Sequence, residues 1–275
     1  LDFRHPVAKQ SIKRGAQQRI LPMPNNDLSN KVAVVTGGAD GIGEGIVRTL
    51  WGCGAHVVIA DVQDEKGSAL AAELGENASF VLLDVTDPES WNNLVIELNS
   101  TPGRLDILVN NAGGGGFGNL DQLTFEEWRN IMALNMDSVF LGCKATGTML
   151  QADGGGSIIN ISSTNANRAW AMFSGYCSAK AGMTMFSKCV AQHFLETNAN
   201  VRCNTVHPGP IETPNFRNLT AAEGAEQLLA DWQKNNPFTE IGTVEDIGEV
   251  VAFLASDAAR YVNASEFVVA GGTLL

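Results

Sequence analysis

The sequence predicts an α/β fold, a doubly wound single domain in which helices cover both faces of a seven-stranded parallel sheet. Short apolar runs alternate with helical patterns from Lys31 onward, and the runs are apolar on both faces, as in strands that are covered on both sides. Neither an internal repeat nor a second core interrupts the alternation. The 275 residues, 44% of them hydrophobic and 17% charged, suit one large domain of this kind.

Helical patterns lie between the seven predicted strands and supply the crossovers of a parallel sheet. The strands are the runs 32–37, 56–61, 79–84, 105–111, 157–162, 199–207 and 266–271. Two of the intervening helices have recognisable starts. Thr124 and Glu127 can form a capping box, and Thr243 can cap the helix that follows it.

The first segment falls outside this pattern. Residues 1–28 carry Pro6, Pro22 and Pro24 and no sustained apolar period, so we expect an extended N-terminal arm ahead of a domain that spans residues 29–275. A floppy tail, a targeting peptide and an arm that clasps another subunit are the open interpretations of this segment.

Composition argues against several classes of function. A formal net charge of -12 opposes the capture of nucleic acid or of an anionic membrane surface, so we expect small-molecule partners. The five cysteines are scattered without a CxxC pair, which indicates neither a disulfide framework nor a metal site. No run reaches the ~18 apolar residues of a membrane span, and we expect a soluble, cytoplasmic protein.

A glycine-rich turn joins the first strand to a helical pattern. Gly37, Gly41 and Gly43 follow the strand directly. Glycines permit a tight turn and let a diphosphate approach the backbone N–H groups of a helix N-terminus. The turn therefore predicts a dinucleotide site of the Rossmann type, although such turns also occur for steric reasons alone.

An acidic residue follows near the expected distance of ~20 residues for a ribose contact. Asp61 ends the second strand, and its carboxylate would accept both hydroxyls of the adenosine ribose while repelling a 2′-phosphate. Asp40 adds a second negative charge within the glycine turn. Both charges favour NAD(H) as the cofactor. The alternative for Asp61 is a turn residue that caps the next helix.

Two further strand ends border the same predicted crevice. Asp84 and Val85 follow the third strand, where Asp84 could hydrogen-bond adenine. Asn111, Ala112 and Gly113 end the fourth strand. They could border the cofactor, or they could serve only as a turn.

Tyr176 and Lys180 lie four residues apart, on one face of a predicted helix. Reduction of a ketone needs a proton donor at its oxygen, and oxidation of the alcohol needs a base at the same point. An adjacent ammonium and a nicotinamide cation both favour phenolate, so we expect the pKa of Tyr176 to fall below its usual ~10.

These motifs together resemble the classical short-chain dehydrogenase/reductase family over residues 29–275. In chain order they are TGGADGIG, Asp61, NNAG, Asn135, Ser162-Ser163, YCSAK and PGPIET. The resemblance implies that Tyr176 is the acid/base and that Ser163, by its spacing from the tyrosine, holds the substrate oxygen. It also implies that Lys180 binds the nicotinamide ribose and lowers the tyrosine pKa, and that Asn135 holds a water of a proton relay.

The resemblance also implies that the loop after the sixth strand orients the nicotinamide, through the Ile211 N–H and the Thr213 hydroxyl. His207 is interpreted as a strand-end residue, not a catalyst. The expected cofactor contacts are Gly37, Asp40, Gly41, Ile42, Gly43, Asp61, Val62, Asp84, Val85, Asn111, Ala112, Gly113, Tyr176, Lys180, Pro208, Gly209, Ile211 and Thr213.

The substrate is expected to be a hydrophobic or cyclic secondary alcohol, hydroxysteroid-like, or its ketone. Residues 214–240 lie where the family has a mobile lid. Apolar residues in this segment and on the loop before Tyr176 could line a pocket. They are Trp170, Phe173, Phe216, Leu219, Leu228, Leu229 and Trp232. The same residues could instead pack a helix onto its own domain.

The family resemblance implies a homo-oligomer, a tetramer or a dimer, that pairs the helices beginning near Thr124 and Tyr176. Two other functions stay open: an NADPH-linked 3-ketoacyl-type or sugar/polyol reductase of the same family, and a non-catalytic dinucleotide-sensing protein. Asp61 opposes the first, and the presence of both Tyr176 and Lys180 opposes the second.

Overall fold

The computed structural model describes residues 26–152, 154–221 and 241–274. The strands are β1 Val32–Thr36, β2 His56–Asp61, β3 Ala78–Leu82, β4 Ile107–Asn110, β5 Gly156–Ile161, β6 Val201–Pro208 and β7 Glu266–Val269. The helices are α1 Gly41–Gly52, α2 Asp64–Leu74, α3 Pro88–Ser100, α4 Phe125–Met132, α5 Ser138–Ala152, α6 Ser174–Glu196, α7 Pro214–Ala221 and α8 Val244–Ala255.

The seven strands form one parallel sheet in the order β3-β2-β1-β4-β5-β6-β7. This arrangement confirms the predicted fold class, and each strand begins and ends within about two residues of the predicted run. The chain order reverses between β1 and β4. In a doubly wound sheet this switch point opens a ligand crevice at the carboxyl ends of the strands.

Apolar side chains fill a core on each face of the sheet. Along β1, Ala33 and Val35 belong to one cluster and Val32 and Val34 to the other, because successive side chains point to opposite faces. Helices α1 and α8 pack on the first face, and α3, α5 and α6 pack on the second. This double coverage explains why the strands have continuous apolar sequences instead of alternating ones.

Both predicted helix starts are present. The Thr124 hydroxyl accepts the N–H of Glu127 while the Glu127 carboxylate accepts the N–H of Thr124, which completes a capping box at α4. Thr243 and Asp246 make the same reciprocal pair at α8. These caps satisfy N–H groups that have no carbonyl partner within the helix.

The packing of the domain begins earlier than the predicted boundary. Leu28 and Asn26 are buried, and the Leu28 N–H donates to the carbonyl of Cys53. Residues 26–28 therefore pack with the domain, although the sequence analysis places them in the arm. The rest of the predicted arm, and residues 222–240 of the predicted lid with Leu228, Leu229 and Trp232, lie outside the described residues. None of the described helices combines the length and apolarity needed to span a membrane.

Candidate active site

A cavity of about 550 Å³ opens at the switch point of the sheet. It brings the residues predicted to bind the dinucleotide, such as Gly37 and Asp61, into one continuous space with the predicted catalytic residues Ser163, Tyr176 and Lys180. Every predicted site residue lines it except Asn135 and Ile211, which are buried behind its wall. The cavity also has lining residues that the sequence analysis did not assign, namely Gln63, Leu83, Gly114, Gly115, Leu134, Ile161, Ser162 and Pro214.

The glycine turn forms a cradle at the start of α1. Gly37 and Gly41 have φ values of +61° and +57°, a region that favours glycine. A Cβ on Gly43 would lie 1.8 Å from the carbonyl oxygen of Gly37, so only glycine fits at this position. The Asp40 carboxylate caps the Gly41 N–H at 2.7 Å, and the next two residues of α1, Ile42 and Gly43, line the cavity. This cradle suits a diphosphate.

Asp61 joins the end of β2 to the glycine turn. Its carboxylate is buried, and it accepts the N–H of Ala39 at 3.0 Å and the N–H of Gln63 at 2.9 Å. These bonds orient the acid at the edge of the cavity. The fixed negative charge matches the position that the sequence predicts for a ribose contact.

Lys66 forms an ion pair with Asp40, and it is not among the residues predicted from the sequence. Its Nζ lies 2.6 Å from Oδ2 of Asp40, whose Oδ1 accepts the N–H of Gly41 at 2.7 Å. The hydrogen bond that Lys66 donates to Asp40 raises the pKa of Lys66. The ammonium is therefore held by the carboxylate of the glycine turn, a contact between residues 26 positions apart that no local motif announces.

The turn after β4 connects two strands at the switch point. Asn111 Nδ2 donates to the carbonyl oxygens of Thr36 and Gly37, at 2.9 and 3.1 Å. The Thr36 hydroxyl in return accepts the N–H groups of Asn111 and Ala112. The turn thus has the structural role that the sequence left open, and its residues also line the cavity.

Asn135 lies in a five-residue π-helical turn, Ala133–Asp137, between α4 and α5. Its Oδ1 accepts the Gly114 N–H at 2.9 Å, while Nδ2 donates to the Gly114 and Ile131 carbonyls, both at 3.0 Å. A Cβ on Gly113 would lie 2.8 Å from Asn135 Oδ1 and 3.2 Å from Lys180 Nζ. Asn135 therefore holds the wall of the cavity where that wall meets the lysine. Single π turns are often found at functional sites.

Ser163, Tyr176 and Lys180 meet at the opposite end of the cavity. Ser163 follows β5, and its hydroxyl accepts the N–H of Asn165 at 3.1 Å. Lys180 is buried, its Nζ donates to the carbonyl of Ile161 at 2.8 Å, and it lies 5.6 Å from the ring centre of Tyr176. Three elements, β5, α6 and the loop between them, thus contribute to one cluster of polar groups at the cavity.

Burial shifts the pKa values of the tyrosine and the lysine in opposite directions. It raises the pKa of Tyr176 to about 12, and hydrogen bonding with the Ser163 hydroxyl acts against this rise. It lowers the pKa of Lys180 to about 7. The sequence predicts a lowered pKa for Tyr176 beside Lys180 and a nicotinamide cation, whereas in the chain alone the pKa lies above its usual value. Burial penalises the charged form of each group, so it disfavours both the phenolate of Tyr176 and the ammonium of Lys180.

The comparison with protein families shows the family of the chain. A family model of short-chain dehydrogenase type, described as enoyl-(acyl carrier protein) reductase, matches residues 37–273, which is most of the chain. The chain belongs to the short-chain dehydrogenase/reductase family. It is an oxidoreductase of a family that uses nicotinamide dinucleotides.

Individual relatives of this dehydrogenase-family chain match nearly its whole length. The 3-alpha-(or 20-beta)-hydroxysteroid dehydrogenase of Mycobacterium tuberculosis is 37% identical over 252 residues, which cover 90% of each chain. The NADP-dependent (R)-specific alcohol dehydrogenase of Lentilactobacillus kefiri is 35% identical over 248 residues, 89% of this chain and 97% of the relative. The crystal structure of gox2181 superposes with a TM-score of 0.85 at 30% identity, covering 90% of this chain and 97% of the other.

In this short-chain dehydrogenase-family protein, the loop after β6 also borders the cavity that Ser163, Tyr176 and Lys180 line. Pro208, Gly209 and Thr213 line the cavity, and the Thr213 hydroxyl accepts the N–H of Phe216 at 3.1 Å. A hydroxyl accepts and donates at once, so the Thr213 O–H can still donate into the cavity. The Ile211 side chain is buried, which leaves only its backbone for the predicted role.

Three aromatic rings pack together next to Tyr176, and none of the three is among the residues that line the cavity. Phe173 lies 5.6 Å from Trp170, 5.4 Å from Phe117 and 6.4 Å from Tyr176, measured between ring centres. Phe117 is 60% exposed, and the Gly118 N–H after it donates to the Met172 carbonyl at 2.8 Å. The sequence analysis named Trp170 and Phe173 but missed Phe117, which follows four consecutive glycines. We refer to Phe117, Trp170 and Phe173 as the aromatic wall.

Proposed function

We propose that the protein is an NAD(H)-dependent oxidoreductase that interconverts a hydrophobic, cyclic secondary alcohol, such as a hydroxysteroid, and its ketone. The observation that carries the proposal is the gathering of Ser163, Tyr176 and Lys180 in one cavity that has Asp61 at its other end. The steroid specificity of the Mycobacterium tuberculosis relative and the aromatic wall support the substrate class.

The residues present fit a nicotinamide dinucleotide. The glycine cradle would take the diphosphate, Asp61 would accept the adenosine ribose hydroxyls, and Thr213 would hold the carboxamide. When bound at these residues, an oxidised nicotinamide would supply a hydride acceptor for the carbinol carbon and positive charge beside the phenol.

Each catalytic side chain then has a separate task. The Tyr176 oxygen takes the proton of the alcohol during oxidation and returns it during reduction, while the Ser163 hydroxyl holds the substrate oxygen. Lys180 would bind the nicotinamide ribose, and with a pKa of about 7 it exchanges protons readily near neutral pH. Asn135 fixes Gly114 and thereby the cavity wall around the lysine, beside which a relay water could bind.

The cofactor preference follows from charge. Asp61 and Asp40 present two carboxylates at the adenosine end, and Lys66 is paired with Asp40. A 2′-phosphate would meet the buried carboxylate of Asp61, which is costly in a poorly solvated site. These observations favour NAD(H), although the family also includes the NADP-dependent relative described above.

The Asp61→Asn variant should shift this preference. Loss of the charge weakens the ribose hydrogen bonds and removes the repulsion of the 2′-phosphate, so the ratio of kcat/KM for NADP⁺ to that for NAD⁺ should rise at least about tenfold. Initial rates with both cofactors measure it. The matched control is Asp64→Asn, an exposed acid at the start of α2, which should leave the ratio unchanged. An unaltered ratio in Asp61→Asn would contradict the assignment of Asp61.

The Phe117→Ala variant should weaken the binding of bulky apolar substrates. Removing this ring exposes part of the aromatic wall, and at ~25 cal/mol per Å² the lost contact corresponds to a KM for a hydroxysteroid that is about tenfold higher, with kcat nearly unchanged. The KM for a small acyclic alcohol should not change. Phe125→Ala, an exposed phenylalanine on α4, is the control. Equal effects of the two variants would argue against the aromatic wall as a substrate surface.

A substrate panel tests the proposed function as a whole. NADH formation at 340 nm is measured with hydroxysteroids, other cyclic secondary alcohols and polyols, and NADPH oxidation is measured with a 3-oxoacyl thioester. We expect the highest kcat/KM with NAD⁺ and a cyclic apolar alcohol. Faster turnover of the thioester with NADPH would support the reductase alternative, and cofactor binding without any turnover would support a sensing protein.

We also propose a homo-oligomer, as a tetramer or a dimer. Phe140 on α5 and Met185 on α6 are apolar and are 44% and 60% exposed, which is consistent with helices that pair between subunits. Light scattering coupled to gel filtration distinguishes these states from a monomer.

A further inference from the structure

His207 is a buried ionisable residue beside the site, and the proposed chemistry does not use it. It lies near the end of β6, directly before Pro208 and Gly209, which line the cavity. Its relative exposure is 0%, so its ring meets protein on every side. A buried polar ring needs a partner for each nitrogen, and the identity of those partners indicates what the ring does.

The Nδ1 atom of His207 lies 3.0 Å from the main-chain oxygen of Ser163. A carbonyl oxygen only accepts, so Nδ1 must carry the hydrogen. The Nε2 atom lies 3.0 Å from the Thr205 hydroxyl, which can donate to it. Both contacts are satisfied by one tautomer of the neutral ring, and burial keeps the ring neutral by lowering the pKa of His207.

Charged groups surround the ring at a greater distance. Glu266 on β7 places Oε2 3.7 Å from Nε2, and its Oε1 pairs with the ammonium of Lys188 on α6 at 2.7 Å. Lys180 and Lys188 both oppose protonation of the ring, and Glu266 favours it. The Glu266 carboxylate is therefore already paired with the Lys188 ammonium.

The backbone pairing of β5 with β6 leads up to Ser163. Ile161 is the last residue of the register, opposite Val206, and the Ser162 N–H still donates to the Val206 carbonyl at 2.7 Å. The hydrogen bond from His207 Nδ1 to the Ser163 carbonyl extends the contact between these strands by one residue. Ser163 thus has its hydroxyl at the cavity and its main chain held from behind by β6.

We propose that His207 is a positioning residue, which holds Ser163 through its main-chain carbonyl so that the serine hydroxyl meets Tyr176 and the substrate oxygen. This role rests on the proposed function. The hydrogen bond from Ser163 opposes the rise in the pKa of Tyr176, so a displaced serine should leave a phenol that ionises at higher pH.

Two variants at position 207 test the role. His207→Leu fills similar space without a donor, and His207→Asn can place an amide N–H near the position of Nδ1. For alcohol oxidation we expect His207→Leu to lower kcat about tenfold and to shift the pH profile of kcat/KM upward by about half a unit, with the KM for NAD⁺ nearly unchanged. His207→Asn should recover most of the rate and the original profile.

A double-mutant cycle with Ser163→Ala separates positioning from a loss of stability. If His207 acts through Ser163, His207→Leu should reduce the rate by less than about twofold in the Ser163→Ala background. Thr205→Val removes the hydroxyl 3.0 Å from Nε2 together with its long contact, 3.4 Å, to the Ser265 carbonyl, and it provides a milder variant should His207→Leu fold poorly. We expect it to change kcat and the pH profile in the same direction by a smaller amount.

Three results would overturn the role. The first is an unchanged pH profile in both His207→Leu and Thr205→Val. The second is that His207→Leu still lowers the rate about tenfold in the Ser163→Ala background. The third is a His207→Asn variant that is no faster than His207→Leu. A wild-type protein that binds NADH, seen by fluorescence, yet turns over no substrate overturns the proposed function and this role with it. That outcome is distinguishable, because the variants need not be measured to observe it.

Discussion

Replacement of Tyr176 by Phe should lower kcat/KM for alcohol oxidation by about 10³-fold, within the range that acid–base groups contribute. The change removes the single oxygen that exchanges the substrate proton and keeps the ring that packs 6.4 Å from Phe173. The fold and the affinity for NADH should therefore be retained. Steady-state rates, together with a fluorescence titration of NADH, measure both quantities.

The chain provides a matched control for this variant. It contains two tyrosines, and the other one, Tyr261, is 99% exposed. Tyr261→Phe should be indistinguishable from the wild type in rate, in pH profile and in NADH affinity. A Tyr176→Phe enzyme that keeps more than about a tenth of the wild-type rate would show that another group moves the proton.

The Gly43→Ala variant should abolish most dinucleotide binding. The new methyl would lie 1.8 Å from the Gly37 carbonyl oxygen and 2.6 Å from Asn111 Nδ2, so the start of α1 must move away from the glycine turn. Overpacking of this kind costs ~1–3 kcal/mol, and we expect the Kd for NADH to rise by up to about 100-fold, with a lower Tm.

Gly52→Ala is the control within the same helix. An added Cβ at Gly52 would have no atom within 4 Å, and alanine favours a helix by up to ~1 kcal/mol over glycine. This variant should bind NADH normally and have an unchanged or slightly higher Tm. Normal NADH binding by Gly43→Ala would mean that the diphosphate does not bind at the cradle.

The dinucleotide end could be predicted from the sequence because its parts are local. Gly37, Gly41 and Gly43 follow a strand and open a helix, and Asp61 ends the next strand along the chain. Topology then brings neighbouring strand ends together, since the carboxyl ends of parallel strands share one edge of the sheet. The same logic brings Ser162 and Ser163, which follow a strand, to this edge, whereas the choice of Ser163 came from the family resemblance and its spacing from Tyr176.

Other features could not be predicted because they depend on contacts between distant segments. Lys66 matters through its ion pair with Asp40, and Phe117 through its contact with Phe173. The π turn at Asn135 has no compositional signature. The raised pKa of Tyr176 in the chain alone could not be predicted, because the spacing to Lys180 is visible in the sequence, whereas the burial of both groups is not.

Transfer of an isotope tests the central claim most directly. A secondary alcohol carrying deuterium on its carbinol carbon, such as a hydroxysteroid, is incubated with NAD⁺ and the wild-type protein, and the nicotinamide product is analysed by mass spectrometry. We expect direct hydride transfer from the carbinol carbon, seen as NADH that is one mass unit heavier, with no label lost to water and no such product with Tyr176→Phe on the same time scale. Unlabelled NADH, or labelled NADH formed equally fast by Tyr176→Phe, would contradict it.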